Sequence, residues 1–350
     1  MRWDLGDFAD GTPGPPDDTI YFRPKPRGYP GGDDDMDCWG EDVAVNPSTG
    51  DVYLLFTWLR TDVQTNPYRL WYYRLEEGDN WTWDTNDNGS PWIAFPYDYE
   101  INCWTPSIDV GMVKLGEYGE DWGVGIAFTA GHMDDYTDAA PYCVVGNGWY
   151  CSDDGDQYDE TYVNIMPGVY VDPYWYSCGA PSFDIAYWDN NDYGPWWAIA
   201  YTQESSNDWG YDVMFIDSVN LDAKRLQYSA QDYKEKFGAS VTCHVNYGYQ
   251  IASVSAYENN IPYMTTGTYQ PCAANFNVSS QTWNDNWTQV QSSLPTISGT
   301  FNPIDLIANN PGVSTSIVSN SNDGGYYLGF STNVGQTACD IYGAYGNTTE

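Results

Sequence analysis

Residues 188–197 read WDNNDYGPWW, and residues 83–92 read WDTNDNGSPW. Both stretches place Trp-Asp, then Asn-Asp, then Gly, then Pro-Trp in one order, with equal spacing as far as the glycine. Each runs on into a short apolar segment, WIAF from Trp92 and WAIAY from Trp197. A turn that recurs with a strand behind it marks a chain built from copies of one small β unit.

Working outward, the unit recurs along the chain. A first short strand follows a small or proline-containing lead: EDVAV at 41, PSIDVGMV at 106, PSFDIAYW at 181, ASVTCHV at 239 and NPIDLIA at 302. The second strands are DVYLLFTWL, WGVGIAFTA, WWAIAYTQ, YQIASVSAY and GVSTSIVS. Third strands include YRLWYYRL, YDVMFIDSV, IPYMTTGTY and YYLGFST, and RLQYSAQ and ACDIYGAY supply fourth strands. Only Ala230 to Lys236 offers a helical period. The pattern predicts an all-β fold, a β-propeller of about five four-stranded blades with room for a sixth, because a ring of blades leaves few sheet edges exposed. Residues 41–350 form one propeller domain in this reading. Residues 1–40, rich in Pro, Gly and Asp, form an N-terminal arm that packs along the domain, closes the ring by strand addition or reaches a neighbouring subunit.

Composition agrees with strands and turns: 32 Tyr, 17 Trp and 34 Gly in 350 residues. The 49 acids against 12 bases give a net charge of −37, which argues against nucleic acid and anionic membrane surfaces as partners and favours cations. The acidity belongs to the first two thirds, since residues 237–350 hold no Lys or Arg and only six acids. No stretch is long and apolar enough to span a membrane as a helix.

Eight cysteines occur without a CxxC pair and with only two histidines, His132 and His244, so the pattern reads as disulfides rather than zinc. Cys143 and Cys151 flank a Gly146-Asn147-Gly148 turn and are expected to bridge; the partners of Cys38, Cys103, Cys178, Cys243, Cys272 and Cys339 stay open. Four bridges would place the chain outside the cytoplasm, at the cell surface or secreted, and the sequons at Asn80, Asn88, Asn277, Asn286 and Asn347 would then be glycosylation sites.

Thr85-Asn86-Asp87-Asn88-Gly89-Ser90-Pro91-Trp92 resembles the Asp-box of the sialidase-like β-propellers, Ser/Thr-x-Asp-x-Gly-x-x-Trp. Looser relatives carry Asp192 and Gly194, Asp208 and Gly210, Asp323 and Gly325, and Asp121 and Gly123. The resemblance implies a propeller in which these turns fasten hairpins away from any active site. It does not extend to the catalytic residues. Sialidases hold a carboxylate with three arginines; Phe22-Arg23-Pro24 is similar to one such motif, but after Arg74 the only arginine is Arg225.

Other chemistry is open to the acids. Asp109, Asp184 and Asp305 occupy matching places on three first strands, which line the channel of a propeller, so they are candidates for a carboxylate pair or for a repeated strand-end hydrogen bond. Asp33, Asp34, Asp35 and Asp37, and Asp153, Asp154 and Asp156, lie on Gly-containing loops of the kind that suits calcium, although no cofactor is required. Adjacent aromatics such as Trp196-Trp197 point to opposite faces of a strand, leaving one of each pair free to face outward. The sequence thus predicts a secreted or cell-surface propeller that works by self-assembly, as an oligomer or filament, or by glycan binding. An extracellular glycoside hydrolase with an acidic channel is the second expectation.

Overall fold

A computed structural model of the protein describes residues 38–59, 68–76, 82–84, 92–93, 102–114, 120–132, 135–146, 164–166, 178–186, 196–204, 210–220, 223–226, 233–246, 249–264, 266–283, 288–289, 297–300, 316–319, 325–331 and 341–347. Every element among them is a strand, and they form five antiparallel sheets in chain order. The first holds β1 (Cys38–Val45), β2 (Val52–Leu59), β3 (Tyr68–Glu76) and β4 (Thr82–Asp84), with β5 (Trp92–Ile93) also on β3. The second holds β6 (Asn102–Lys114), β7 (Glu120–His132), β8 (Asp135–Gly146) and β9 (Asn164–Met166). The third holds β10 (Cys178–Ala186), β11 (Trp196–Glu204), β12 (Tyr211–Asp217) and β13 (Lys224–Arg225). The fourth holds β14 (Lys236–Asn246), β15 (Tyr249–Asn259), β16 (Thr266–Asn277) and β17 (Thr282–Trp283), with β18 (Thr288–Gln289) and β19 (Ile297–Thr300) also on β16. The fifth holds β20 (Ser316–Ser319), β21 (Gly325–Ser331) and β22 (Ile341–Asn347).

Each sheet is a blade. The first strands β1, β6, β10, β14 and β20 pack on one another in sequence, which is the inner ring of a propeller. Both faces of the second, third and fourth blades are therefore covered. Trp196 packs with Phe215, Phe276 and the β14–β16 side chains toward the fourth blade, and Trp197 packs with Phe183, Ile185 and Ile199 toward the second. Neither member of the Trp196-Trp197 pair faces outward, because a blade inside the ring has no solvent side. Phe276 meets Phe215 at 5.0 Å and Trp283 at 4.9 Å, and each such ring contributes about 1.5–3 kcal/mol by leaving water.

Four inner strands share a β-bulge just before their central residues, between Trp39 and Glu41, Trp104 and Ser107, Gly179 and Ser182, and Phe237 and Ser240. The small or proline-containing leads at 105–106, 180–181 and 238–239 are these bulges. Thr105 and Gly238 take φ of 45° and 67° there, the left-handed conformation of a bulge's first residue. The extra residue re-aims the following side chains at the next blade.

Several sequence expectations shift. Among the described residues, the inner strand of the fifth blade is Ser316–Ser319, which the spacing had assigned as a second strand. Residues 302–308, Asp305 included, lie outside the described residues. Lys236 opens β14 rather than ending a helix, because its cross-strand pairing with Glu258 outweighs the weak helical period. Asp121 and Gly123 sit in β7, paired with Val113 and Gly111, so that looser turn match is a strand. Gly111 and Gly125 serve close packing instead: a Cβ at either would overlap Ile185 or Phe183 of the third blade.

Candidate functional site

The inner ring places the channel acids in a repeated role. At each of the four described junctions, a side chain on one inner strand accepts the backbone N–H of the next. Ile108 N donates to Asp42 Oδ2 at 2.9 Å, Phe183 N to Ser107 Oγ at 3.1 Å, Val241 N to Ser182 Oγ at 3.2 Å and Ile317 N to Ser240 Oγ at 3.3 Å. Two residues further along, Ile185 N donates to Asp109 Oδ2 at 3.0 Å, and Cys243 N donates to Asp184 Oδ2. Asp109 and Asp184 thus join the second blade to the third and the third to the fourth.

Electrostatics follow from this enclosure. Asp184 is half-buried by area, but its carboxyl is closed in by Asp109 of the second blade and by Thr242 and Cys243 of the fourth, and the enclosure governs its hydration. Burial, and then the charge of Asp109, raise its pKa well above the usual carboxylate value, so it keeps a proton with which to hydrogen-bond Asp109. Burial raises Asp42 as well. The Cys243 thiol donates to the Asp184 carbonyl at 3.6 Å and is pushed up by burial and by Asp184.

A second cluster, which the sequence reading missed, lies where the third and fourth blades meet, at the start of β14. Glu235 is nearly fully buried and accepts from Tyr269 Oη at 2.5 Å, from the Tyr211 backbone N–H and from the Asn259 side chain. Burial pushes its pKa up to about 7, and burial with Glu235 raises Tyr269 in turn. Gly210 precedes β12 at φ 95°, and a Cβ there would overlap the Glu235 carboxylate. Buried Glu258 pairs with Lys234 at 2.7 Å and Lys236 at 3.5 Å, and Arg225 pairs with Asp212 at 2.7 Å. Lys224, Arg225, Lys234 and Lys236, a third of the chain's bases, fall within thirteen residues, and that run was the signal available.

The outer layer of this cluster is apolar. Tyr233 and Tyr263 stack at 4.8 Å with 23° between their planes, and Tyr263, Ile261 and Met264 are exposed. Asn259 braces the loop: its Oδ1 accepts Ile261 N at 3.0 Å and its Nδ2 donates to the Met264 carbonyl at 2.8 Å. Tyr263 N donates to the Tyr233 carbonyl at 3.0 Å, and Tyr263 takes φ 62°, a cost for a bulky residue that the surrounding bonds hold in place.

The remaining sequence candidates divide plainly. Cys243 and Cys272 are free buried thiols, so a full set of four bridges does not form; each sits in the core between the third and fourth blades as a small apolar group. Cys38, Cys103 and Cys178 share one register at the start of β1, β6 and β10. Cys143 lies opposite Met166 in β8, and Cys151 and Cys339 are outside the described residues. So are Asp33, Asp34, Asp35 and Asp37, Asp153, Asp154 and Asp156, the turn residues Thr85, Asp87, Gly89, Asp192, Gly194, Asp208 and Asp323, and Asn80, Asn88 and Asn286. Trp92 opens β5, Gly325 opens β21, and Asn277 and Asn347 end β16 and β22. His132 and His244 stand on different blades, and no group of three His, Cys, Asp or Glu able to hold a metal occurs among the described residues.

No protein family and no curated protein matches the chain. Among solved structures, it is similar to the Hadza microbial sialidase Hz136 at 9% identity and a TM-score of 0.46, over 89% of this chain and 53% of that one. The chain thus spans about half the length of that sialidase. It is similar to the six-bladed Aleuria aurantia lectin at 7% identity and a TM-score of 0.39, over 87% and 77% of the two chains. A Bacillus subtilis levansucrase variant aligns at 10% identity and a TM-score of 0.42, over 85% and 80%. These likenesses concern the course of the strands and bear on neither site nor activity.

Proposed function

We propose that this propeller is a secreted or cell-surface protein that binds a neutral glycan, with the Tyr233–Tyr263 platform as its contact, and does not catalyse. One observation carries the reading: the channel carboxylates Asp109 and Asp184 are engaged in joining blades, while the Tyr233–Tyr263 pair at the start of β14 is exposed and braced from beneath. A tyrosine face offers a sugar ring stacking without charge, and the chain from 237 onward is nearly free of charged residues. The strong negative charge disfavours an anionic sugar.

The glycoside hydrolase reading has one observation of its own, the near-neutral pKa of Glu235 beside Tyr269, as a general acid would have. Its burial beneath the platform weighs for a structural role. A neutral-oligosaccharide array, with reducing-sugar release measured on every hit, separates the two. The binding reading expects a hit that Tyr263→Ala abolishes and no release. Release abolished by Glu235→Gln, or no hit at all, overturns it.

The acidic loops 33–37 and 153–156 would take calcium, and chelation would then lower the melting temperature; an unchanged melting temperature removes that part of the proposal. A Cys143–Cys151 bridge, glycosylation at the sequons and self-assembly belong to the same reading, and non-reducing peptide mapping and sedimentation test them.

A further inference from the structure

The rule that joins the blades leaves one inner strand unserved. At the residue that follows the Asp/Ser acceptor, Ile108, Phe183, Val241 and Ile317 each give their amide to the preceding blade, and all four side chains are at most 5% exposed. The counterpart in β1 is Val43, since Trp39 opposes Thr57 as Trp104 opposes Thr129. Its amide instead donates to its own neighbour, Asp42 Oδ1, at 2.9 Å. Val43 is 56% exposed, and Val45, the counterpart of buried Val110, Ile185 and Cys243, is 54% exposed. This face of β1 therefore has the chemistry of a blade junction with no described residue of another blade packed on it.

The missing partner would be an extended segment with an acceptor for the Val43 amide, and in β6 and β10 a second acceptor stands two residues on, Ser107-x-Asp109 and Ser182-x-Asp184. Asp17-x-Thr19 has that pattern, and strand-forming Ile20, Tyr21 and Phe22 follow it. The Phe22–Arg27 run, FRPKPR, then places three of the chain's 12 bases in five residues of a protein whose net charge is −37. Prolines at 24 and 26 suit an outermost strand, which needs no amides on its free edge. The 37 residues that precede β1 leave ample length for this segment to turn back onto it.

We propose that residues 17–27 of this chain dock as an extended strand on the exposed face of β1, with Asp17 and Thr19 taking the acceptor role toward Val43 and the basic run held by the acidic body. The occupant is the chain's own segment, and a second copy is the competing outcome. This proposal is independent of what the propeller binds.

Amide exchange at Val43 and Val45 in the full chain reads it directly, with sedimentation run in parallel. The full chain is expected to be protected at these amides, and any oligomer that it forms to survive the charge reversal below. Arg23→Glu/Lys25→Glu/Arg27→Glu is expected to speed exchange there by about tenfold or more while leaving the β14–β16 amides unchanged, and raised salt should act in the same direction. Val45→Lys, at an exposed position that the blade tolerates, should free the arm as the charge reversal does. Unprotected amides in the full chain, or exchange that ignores both variants, overturns the proposal. A dimer that the charge reversal converts to monomer overturns it in favour of a second copy.

Discussion

Replacing Asp184 separates the two roles a buried channel carboxylate can have. Asp184→Ala removes the acceptor of Cys243 N–H at the junction of the third and fourth blades, and also the proton shared with Asp109. An orphaned buried amide costs about 1–3 kcal/mol. At an unfolding entropy of about 2 cal/mol/K per residue, each kcal/mol lowers the melting temperature of a chain this long by roughly 1.5 °C, so a loss of about 2–4 °C is expected. Asp184→Asn keeps an oxygen for Cys243 N–H and offers Asp109 an N–H in place of the shared proton, so it should hold wild-type stability or exceed it. The pH dependence fixes the sign. The folded-state pKa of Asp184 lies above its unfolded value, so the folded protein holds a proton that the unfolded chain releases. Wild-type stability therefore falls as pH rises from about 4 through the folded value, and the asparagine variant escapes that loss. Scanning calorimetry of the three proteins from pH 4 to 8 should show the asparagine variant gaining on wild type with rising pH while alanine stays below it. Asparagine and alanine losing equally at every pH would refute the reasoning, since it would mean that the charge itself is needed.

Other consequences follow from the same packing. Gly125→Ala should destabilise by about 1–3 kcal/mol in denaturant titration, because its methyl meets the Phe183 ring in a filled core. Glu235 has a folded pKa of about 7 against 4.5 unfolded, so its contribution is fully present below pH 4.5 and is lost as pH rises to 7, with Asp212, Glu258, Lys234 and Lys236 near it. Glu235→Gln should flatten the stability–pH curve over that window, as urea midpoints would record. Thiol titration of the unreduced, denatured protein should find at least two free thiols, from Cys243 and Cys272.

The fold was legible in the sequence where chemistry is local. Repeated turns, alternating strands and small or proline-containing leads reveal the blades, and the leads coincide with the bulges of three inner strands. What escaped depends on neighbours distant in sequence. Gly123 read as a turn residue yet stands in β7, and the strand glycines Gly111 and Gly125 make room for Ile185 and Phe183 of the next blade, neighbours that no local pattern announces. Trp196 and Trp197 read as one inward and one outward ring, an argument for a sheet with a wet face, and the ring of blades has none there. Ser316–Ser319, a second strand by its spacing, packs on β14 as an inner strand, a contact that no local pattern announces. Asp109 and Asp184 stood out by repetition alone; that their carboxylates turn to the next blade's amides depends on how neighbouring blades sit. Glu235 carries no motif, because its environment is made by Tyr211, Asn259 and Tyr269 from three other strands.

The central claim is that side chains of one inner strand hold the amides of the next. Residue-resolved hydrogen exchange on Ser107→Ala, Asp109→Ala and Ser182→Ala tests it most directly. The account predicts faster exchange at Phe183, at Ile185 and at Val241 respectively, each one blade beyond the substitution. Acceleration confined to the substituted strand, or none at those three amides, would contradict it.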